Sequence, residues 1–162
     1  MYVDAGYASE KGKHSQTGFA IMINGATVFA KSGRQSQITD STGYAETVAL
    51  HEASHWVIGY RRIMANLGFP QKSVTPMFED NSTAETFAKK GMGPRSLHYE
   101  VKYLFVHDQQ DRGRLNVCKI DTVHQIADVL TKPVKWELAE RLVTFLLGSK
   151  LMFSRRGTRA PT

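Results

Sequence analysis

The apolar positions of this chain fall into short continuous runs, one hairpin and one long helical stripe. Residues 1–5 form a nearly continuous apolar run and read as a short buried strand. A polar, glycine-containing stretch follows over residues 6–16. The runs 17–23 and 26–32 flank Asn24-Gly25, a pair that accepts positive φ at both positions and so predicts a two-residue β-hairpin. Asp40, Ser41 and Thr42 are N-cap candidates for a long helix ending near Leu67. Its stripe is Ala45, Ala49, Ala53, Trp56, Tyr60, Ile63 and Leu67, and Gly68 and Pro70 stop it. Residues 74–79 read as a buried strand ending at Asp80. A short helix is predicted over 82–89, broken at Gly91-Met92-Gly93-Pro94, with a second over 96–110. Residues 115–120 form a fifth strand candidate, and helices over 125–131 and 135–147 follow on either side of Pro133. Three strands, a helix, a strand, helices, a strand and helices make an α/β pattern, a hairpin on one side and crossover helices on the other.

Length and composition fit that layout. The chain has 162 residues, 41% hydrophobic and 22% charged, enough for one domain with its own core. No apolar run approaches the roughly 20 residues a membrane span needs. The start, MYVDAGYASEKGK, has neither a basic lead nor an apolar signal core, so an intracellular, non-secreted protein is expected. A single cysteine, Cys118, excludes an internal disulfide and a multi-cysteine zinc site. The formal charge is +6, and +4 of it lies in residues 149–162, through Lys150, Arg155, Arg156 and Arg159. This divides the chain into a domain over 1–148 and a basic C-terminal tail over 149–162. The tail reads as a solvated end or as an arm for RNA, DNA or an acidic protein partner.

Four acids stand at chemically interesting places. Asp4 lies near the end of the first strand, Glu46 in the first turns of the long helix, Asp80 at the end of the fourth strand, and Asp128 early in a late helix. A carboxylate among apolar neighbours, as in Tyr2-Val3-Asp4-Ala5, is costly to bury unpaired. A divalent cation offsets that cost, and hard Mg²⁺ prefers a few carboxylates with waters and phosphate oxygens. Spacing alone does not separate these four from the other acids of the chain, 15 in all.

Their sequence contexts do. They match the motifs of one family in series. Its YxDADWAG strand resembles Tyr2-Val3-Asp4-Ala5-Gly6-Tyr7-Ala8, and its KSTSGY segment resembles His14-Ser15-Gln16-Thr17-Gly18-Phe19. A WKSKKQ-like strand is similar to Ala30-Lys31-Ser32-Gly33-Arg34-Gln35. SSTEAEYIALSEA resembles the stretch from Ser41 to Ala53, with Glu46 aligned through Val48-Ala49-Leu50, and LRRLLEELGFP resembles Tyr60 to Pro70. CDNQSAIALAKN is similar to the stretch from Glu79 to Lys90, RTKHIDIRYHFIR to that from Arg95 to His107, and QLADILTKPL to that from Gln125 to Val134. These segments run in order across residues 1–148, and together they resemble the RNase H domain of copia-type (pseudoviral) LTR retrotransposon polyproteins. This chain departs from the pattern at Gly6, where the family has a second Asp, by one extra residue at Gly43-Tyr44, and at Leu97, where the family has a basic residue.

The resemblance implies an RNase H-like fold, a five-stranded mixed sheet flanked by helices. It implies that Asp4, Glu46, Asp80 and Asp128 are catalytic metal ligands for two Mg²⁺ ions, or Mn²⁺, acting on the RNA strand of an RNA–DNA hybrid. Asp4 and Asp80 would share the metals, Glu46 would complete one site and orient the attacking water, and Asp128 would complete the other. Arg95 and His98 are candidates for substrate backbone contacts. The alternative reading is a domesticated, non-catalytic RNase H-like subunit of a larger assembly, such as a ribonucleoprotein.

One motif points elsewhere. His51-Glu52-Ala53-Ser54-His55 is HExxH, the pattern of a zinc protease helix. Gly59 is one residue late for the metzincin extension, and no later His completes it. On a helical wheel, His51 and His55 lie about 140° and 180° from Glu46, while the apolar stripe centres about 300° from it. That places both histidines on the opposite, solvent face, which argues against a zinc protease and leaves open only adventitious metal binding by the pair. His124, four residues before Asp128, reads as a capping or surface residue.

Overall fold

A computed structural model describes residues 1–8, 14–81 and 100–148. Five strands form one mixed sheet: β1 (Tyr2–Gly6), β2 (Gln16–Ile23), β3 (Ala26–Arg34), β4 (Thr75–Glu79) and β5 (Leu115–Lys119). Three α-helices lie among the described residues: α1 (Thr42–Asn66), α2 (Glu100–Asp111) and α3 (Trp136–Leu146). The strand order is β3-β2-β1-β4-β5. The first three strands form an antiparallel meander, while β4 runs parallel to β1 and β5 parallel to β4. The expected helix over 82–89, the break at 91–94, residues 96–99 of the next helix and the basic tail lie outside the described residues.

Local chemistry accounts for these elements. Asn24 and Gly25 both adopt positive φ, 51° and 81°, and close the β2–β3 hairpin. Ser41 caps α1, its hydroxyl accepting from the Tyr44 amide at 3.3 Å. Ala45, Ala49, Leu50, Ala53 and Val57 of α1 pack on Val3, Ala5, Phe19, Ile21, Met77 and Val117 of the sheet, with Val106 of α2 beside them. Full burial of side chains such as Phe19 and Met77 contributes about 1.5–3 kcal/mol each.

Two sequence expectations change here. The α1 stripe loses burial from Trp56 onward: Trp56 stacks on Phe29 at 4.3 Å while 37% exposed, Tyr60 is only partly buried against the core, and Leu67 is 64% exposed. The helix, about 37 Å long, outruns the five-residue central strands β1 and β4, so its last turns have no sheet beneath them. The stretch expected as a helix over 125–131 is instead a 3-10 turn, Ile126–Leu130, preceded by another at Thr122–His124. Gln125 separates them at φ −73°, ψ 96°, an extended conformation that no helix continues through.

Candidate active site

The parallel neighbours β1 and β4 are in register at Tyr2 and Phe78, which brings their carboxyl ends, and so Asp4 and Asp80, side by side. Ligand crevices in α/β sheets form at such ends. Across β2, Asp4 is paired with Gly18, on the face covered by the Ile126–Leu130 turn. Glu79, two residues beyond Met77, shares its face and points toward α1. Glu46 comes down from α1, whose start is tied to the sheet by buried Gln35, donating to Thr17 Oγ1 at 3.1 Å and to the Ala45 carbonyl at 2.9 Å. Carboxylates from both faces of the sheet thus meet around the ends of β1 and β4.

Asp4, Glu46 and Glu79 offer oxygens that all lie within 4.8 Å of one another, each side chain being no more than 3% exposed. A cleft of about 420 Å³ opens on this cluster, lined by Asp4, Glu46, Asp80, Asn81 and Lys132 among others. The Asn81 amide donates to Glu79 Oε1 at 3.0 Å. Glu46 Oε2 and Glu79 Oε2 are buried with no hydrogen-bond donor. Burial, and then the charges of neighbouring carboxylates, push Glu46 well above the usual carboxylate range. Glu79 is raised well above it too, by burial and by Asp4 and Asp80 against the pull of the Asn81 amide. Concentrated, desolvated and donor-poor oxygens are the ligand set a hard divalent cation takes, so the residues present fit such an ion.

On the other side the cleft is lined by Lys132, which follows the Ile126–Leu130 turn. Buried Gln125 anchors the turn, donating to the Val3 carbonyl at 2.8 Å and accepting from the Ala127 amide. A Cβ on Gly18 would come within 2.5 Å of Thr131 Cγ2 and 2.8 Å of Leu130 Cβ, so only glycine lets this segment lie on β2. The turn presents Asp128, 2% exposed, and Thr131, whose hydroxyl donates to Asp4 Oδ2. Lys132 Nζ lies 3.0 Å from Asp128 Oδ1 and 3.8 Å from Asp4 Oδ1. Burial raises the Asp128 carboxyl to about 6 despite Lys132, and raises Asp4 despite Thr131 and Lys132.

Of the residues expected from sequence, Asp4, Glu46 and Asp80 line one cleft, and Asp128 reaches it through Lys132. Arg95 and His98 lie outside the described residues. Sequence reasoning passed over Glu79, which stands where the family motif has Cys. The signal was there: an acid in step with buried Met77 on a central strand. It also passed over Lys132, which spaced four residues from Asp128 reads as an ordinary helical ion pair. His124 is exposed and lines a separate groove with Tyr2 and Arg141. His55 is exposed, as the wheel suggested, while His51 is half-buried. They lie against α2, where His55 stacks on Phe105 at 4.3 Å, because α2 covers that flank of α1.

Two solved structures share this fold. An RNase H1 isolated from compost by a metagenomic approach superposes with a TM-score of 0.61 at 19% identity, covering 80% of this chain and 89% of that one. RNase H1 from the halophilic archaeon Halobacterium salinarum gives 0.54 at 16% identity, covering 80% and 91%. The chain therefore has the RNase H fold. In sequence it is 32% identical over 147 residues to the Retrovirus-related Pol polyprotein from transposon TNT 1-94 of Nicotiana tabacum, covering 88% of this chain. It is 29% identical over 140 residues to the Ty1-DR5 Gag-Pol polyprotein of Saccharomyces cerevisiae. It is thus a homologue of retrotransposon Pol polyproteins, matching them in a segment with the fold of an RNase H domain. The chain spans only 11% and 8% of the length of these relatives. No family model matches it. No helix among the described residues is long and apolar enough to cross a membrane.

Proposed function

We propose that this chain is a metal-dependent ribonuclease H domain of copia-type retrotransposon origin, hydrolysing the RNA strand of RNA–DNA hybrids. The observation that carries this reading is the set of buried, donor-poor carboxylates at the carboxyl ends of β1 and β4. A fold needing only stability would not hold such a set, because each uncompensated buried charge costs several kcal/mol. Asp4, Glu46 and Glu79, with Asp80 at the cleft wall, would hold Mg²⁺ or Mn²⁺, and Asp128 would serve a second ion. The bound ions supply Lewis acidity for phosphodiester hydrolysis. Glu46 positions the attacking water as acceptor of its hydrogen bond. The Thr131 hydroxyl fixes Asp4 Oδ2 and leaves Oδ1, which has no hydrogen-bond donor, to take a metal. Arg95 and His98 are proposed to contact the substrate backbone. Hybrid selectivity would rest on reading 2′-hydroxyls and groove shape, and the net charge of +6 favours a polyanion.

The test is cleavage of an end-labelled RNA–DNA hybrid in Mg²⁺ and in Mn²⁺, beside Asp4→Asn. Cutting of the RNA strand that falls by about a hundredfold or more in the variant is the expected result. A folded wild-type protein that cuts in neither metal overturns the reading and leaves a non-catalytic RNase H-like module.

A further inference from the structure

Acids on the two sides of this cleft are neutralised differently. On the inner side, Asp4, Glu46 and Glu79 converge, and no lysine or arginine among the described residues contacts Glu46 or Glu79. On the outer side, a single ammonium stands between carboxylates from two segments far apart in the chain. Lys132 Nζ is 3.0 Å from Asp128 Oδ1 and 3.8 Å from Asp4 Oδ1. The ammonium holds Asp128 at hydrogen-bond distance and meets Asp4 Oδ1 only as a charge. A cation bridging Asp4 and Asp128 would occupy the same space. Lys132 is only half-buried and follows the turn directly, so its side chain has room to swing into the cleft it lines.

We propose that Lys132 is the resting occupant of the outer cation position. A divalent ion enters first at Asp4, Glu46 and Glu79, and a second enters between Asp4 and Asp128 only by displacing the ammonium. The two ions therefore bind with unequal affinity, and Lys132 sets the gap. This rests on the reading of the cluster as a cation site.

Mn²⁺ titration of the full 162-residue chain tests it, with free Mn²⁺ followed by electron paramagnetic resonance and heats by calorimetry. The wild type is expected to bind one ion tightly and a second at least about tenfold more weakly. Lys132→Met and Lys132→Gln should each strengthen the second ion by about tenfold or more and the first by much less, whereas Lys132→Arg keeps the gap. Circular dichroism establishes that the variants are folded. Two equal wild-type affinities, or a second affinity unchanged in both neutral variants, overturn the role of Lys132 while leaving the cation site intact. No Mn²⁺ bound by the wild type, or binding indifferent to Glu46→Gln, overturns the site and the inference with it.

Discussion

Inner and outer sides of one cleft present nearly the same charge and manage it in opposite ways. Glu46 and Glu79 are buried with one oxygen each lacking a donor, and both are raised well above the usual carboxylate range by burial. Asp4 and Asp128 are as deeply buried, yet they have Thr131 and Lys132 at hand. Burial still wins there, holding Asp128 near 6, but by a smaller margin. The difference shows that burial alone does not make a cation site. What marks the inner side is burial without a resident positive charge.

The outer side depends on its frame, and breaking the frame should have the largest effect. Gly18→Ala drives a methyl into Thr131 and Leu130, both closer than 3.0 Å to its position. It is expected to cost about 3 kcal/mol in urea unfolding, the upper end for overpacking, and to detach Asp128 while sparing Glu46 and Glu79. Gln125→Ala leaves the Val3 carbonyl without its donor and is expected to cost about 2 kcal/mol by the same measurement. Glu79→Gln addresses the inner side. Without metal at pH 8 it should stabilise the protein by about 1 kcal/mol, because it removes an unpaired buried charge. In the same variant Mn²⁺ affinity should drop by about tenfold.

Acidity sharpens the comparison further. Asp128 titrates near 6 in the fold and near 3.9 in an unfolded chain. A carboxyl raised by folding contributes stability below its unfolded value and loses it as pH rises through the folded one. Stability of the metal-free protein should therefore fall from pH 4 to 6 through Asp128, and further above that through Glu46 and Glu79. Thermal melts should show Mg²⁺ raising Tm more at pH 8 than at pH 5, since ligands must lose their protons to bind. Smallest of all, Arg112→Ala breaks an exposed pair with Asp108 on α2 and should change stability by no more than about 0.5 kcal/mol.

Most of the fold was legible because local signals agreed with it. Asn24-Gly25, the Ser41 cap and the Ala45–Ala49–Ala53 spacing each dictate a backbone state irrespective of distant contacts. The 3-10 turns were not legible, since their shape comes from Gln125 reaching Val3 and from the bare backbone of Gly18, both long-range contacts. The same limit applied to the site. Asp4, Glu46 and Asp80 stand in recognisable motifs and line one cleft. Glu79 was hidden beside Asp80, because alternation within a five-residue strand shows which face a residue takes but not what waits there. Lys132 was hidden because helical spacing explains it equally well. Only the meeting of β1 with the turn places its ammonium between two acids.

The central claim is that Asp4, Glu46 and Glu79 form a divalent-cation site. Crystals grown in Mn²⁺ at pH 8 test it most directly, through anomalous difference density at the manganese edge. The account predicts a peak within ligand distance of oxygens from all three residues, lost in Glu46→Gln. Well-ordered carboxylates with no peak between them, at an Mn²⁺ concentration well above that of the protein, would contradict it.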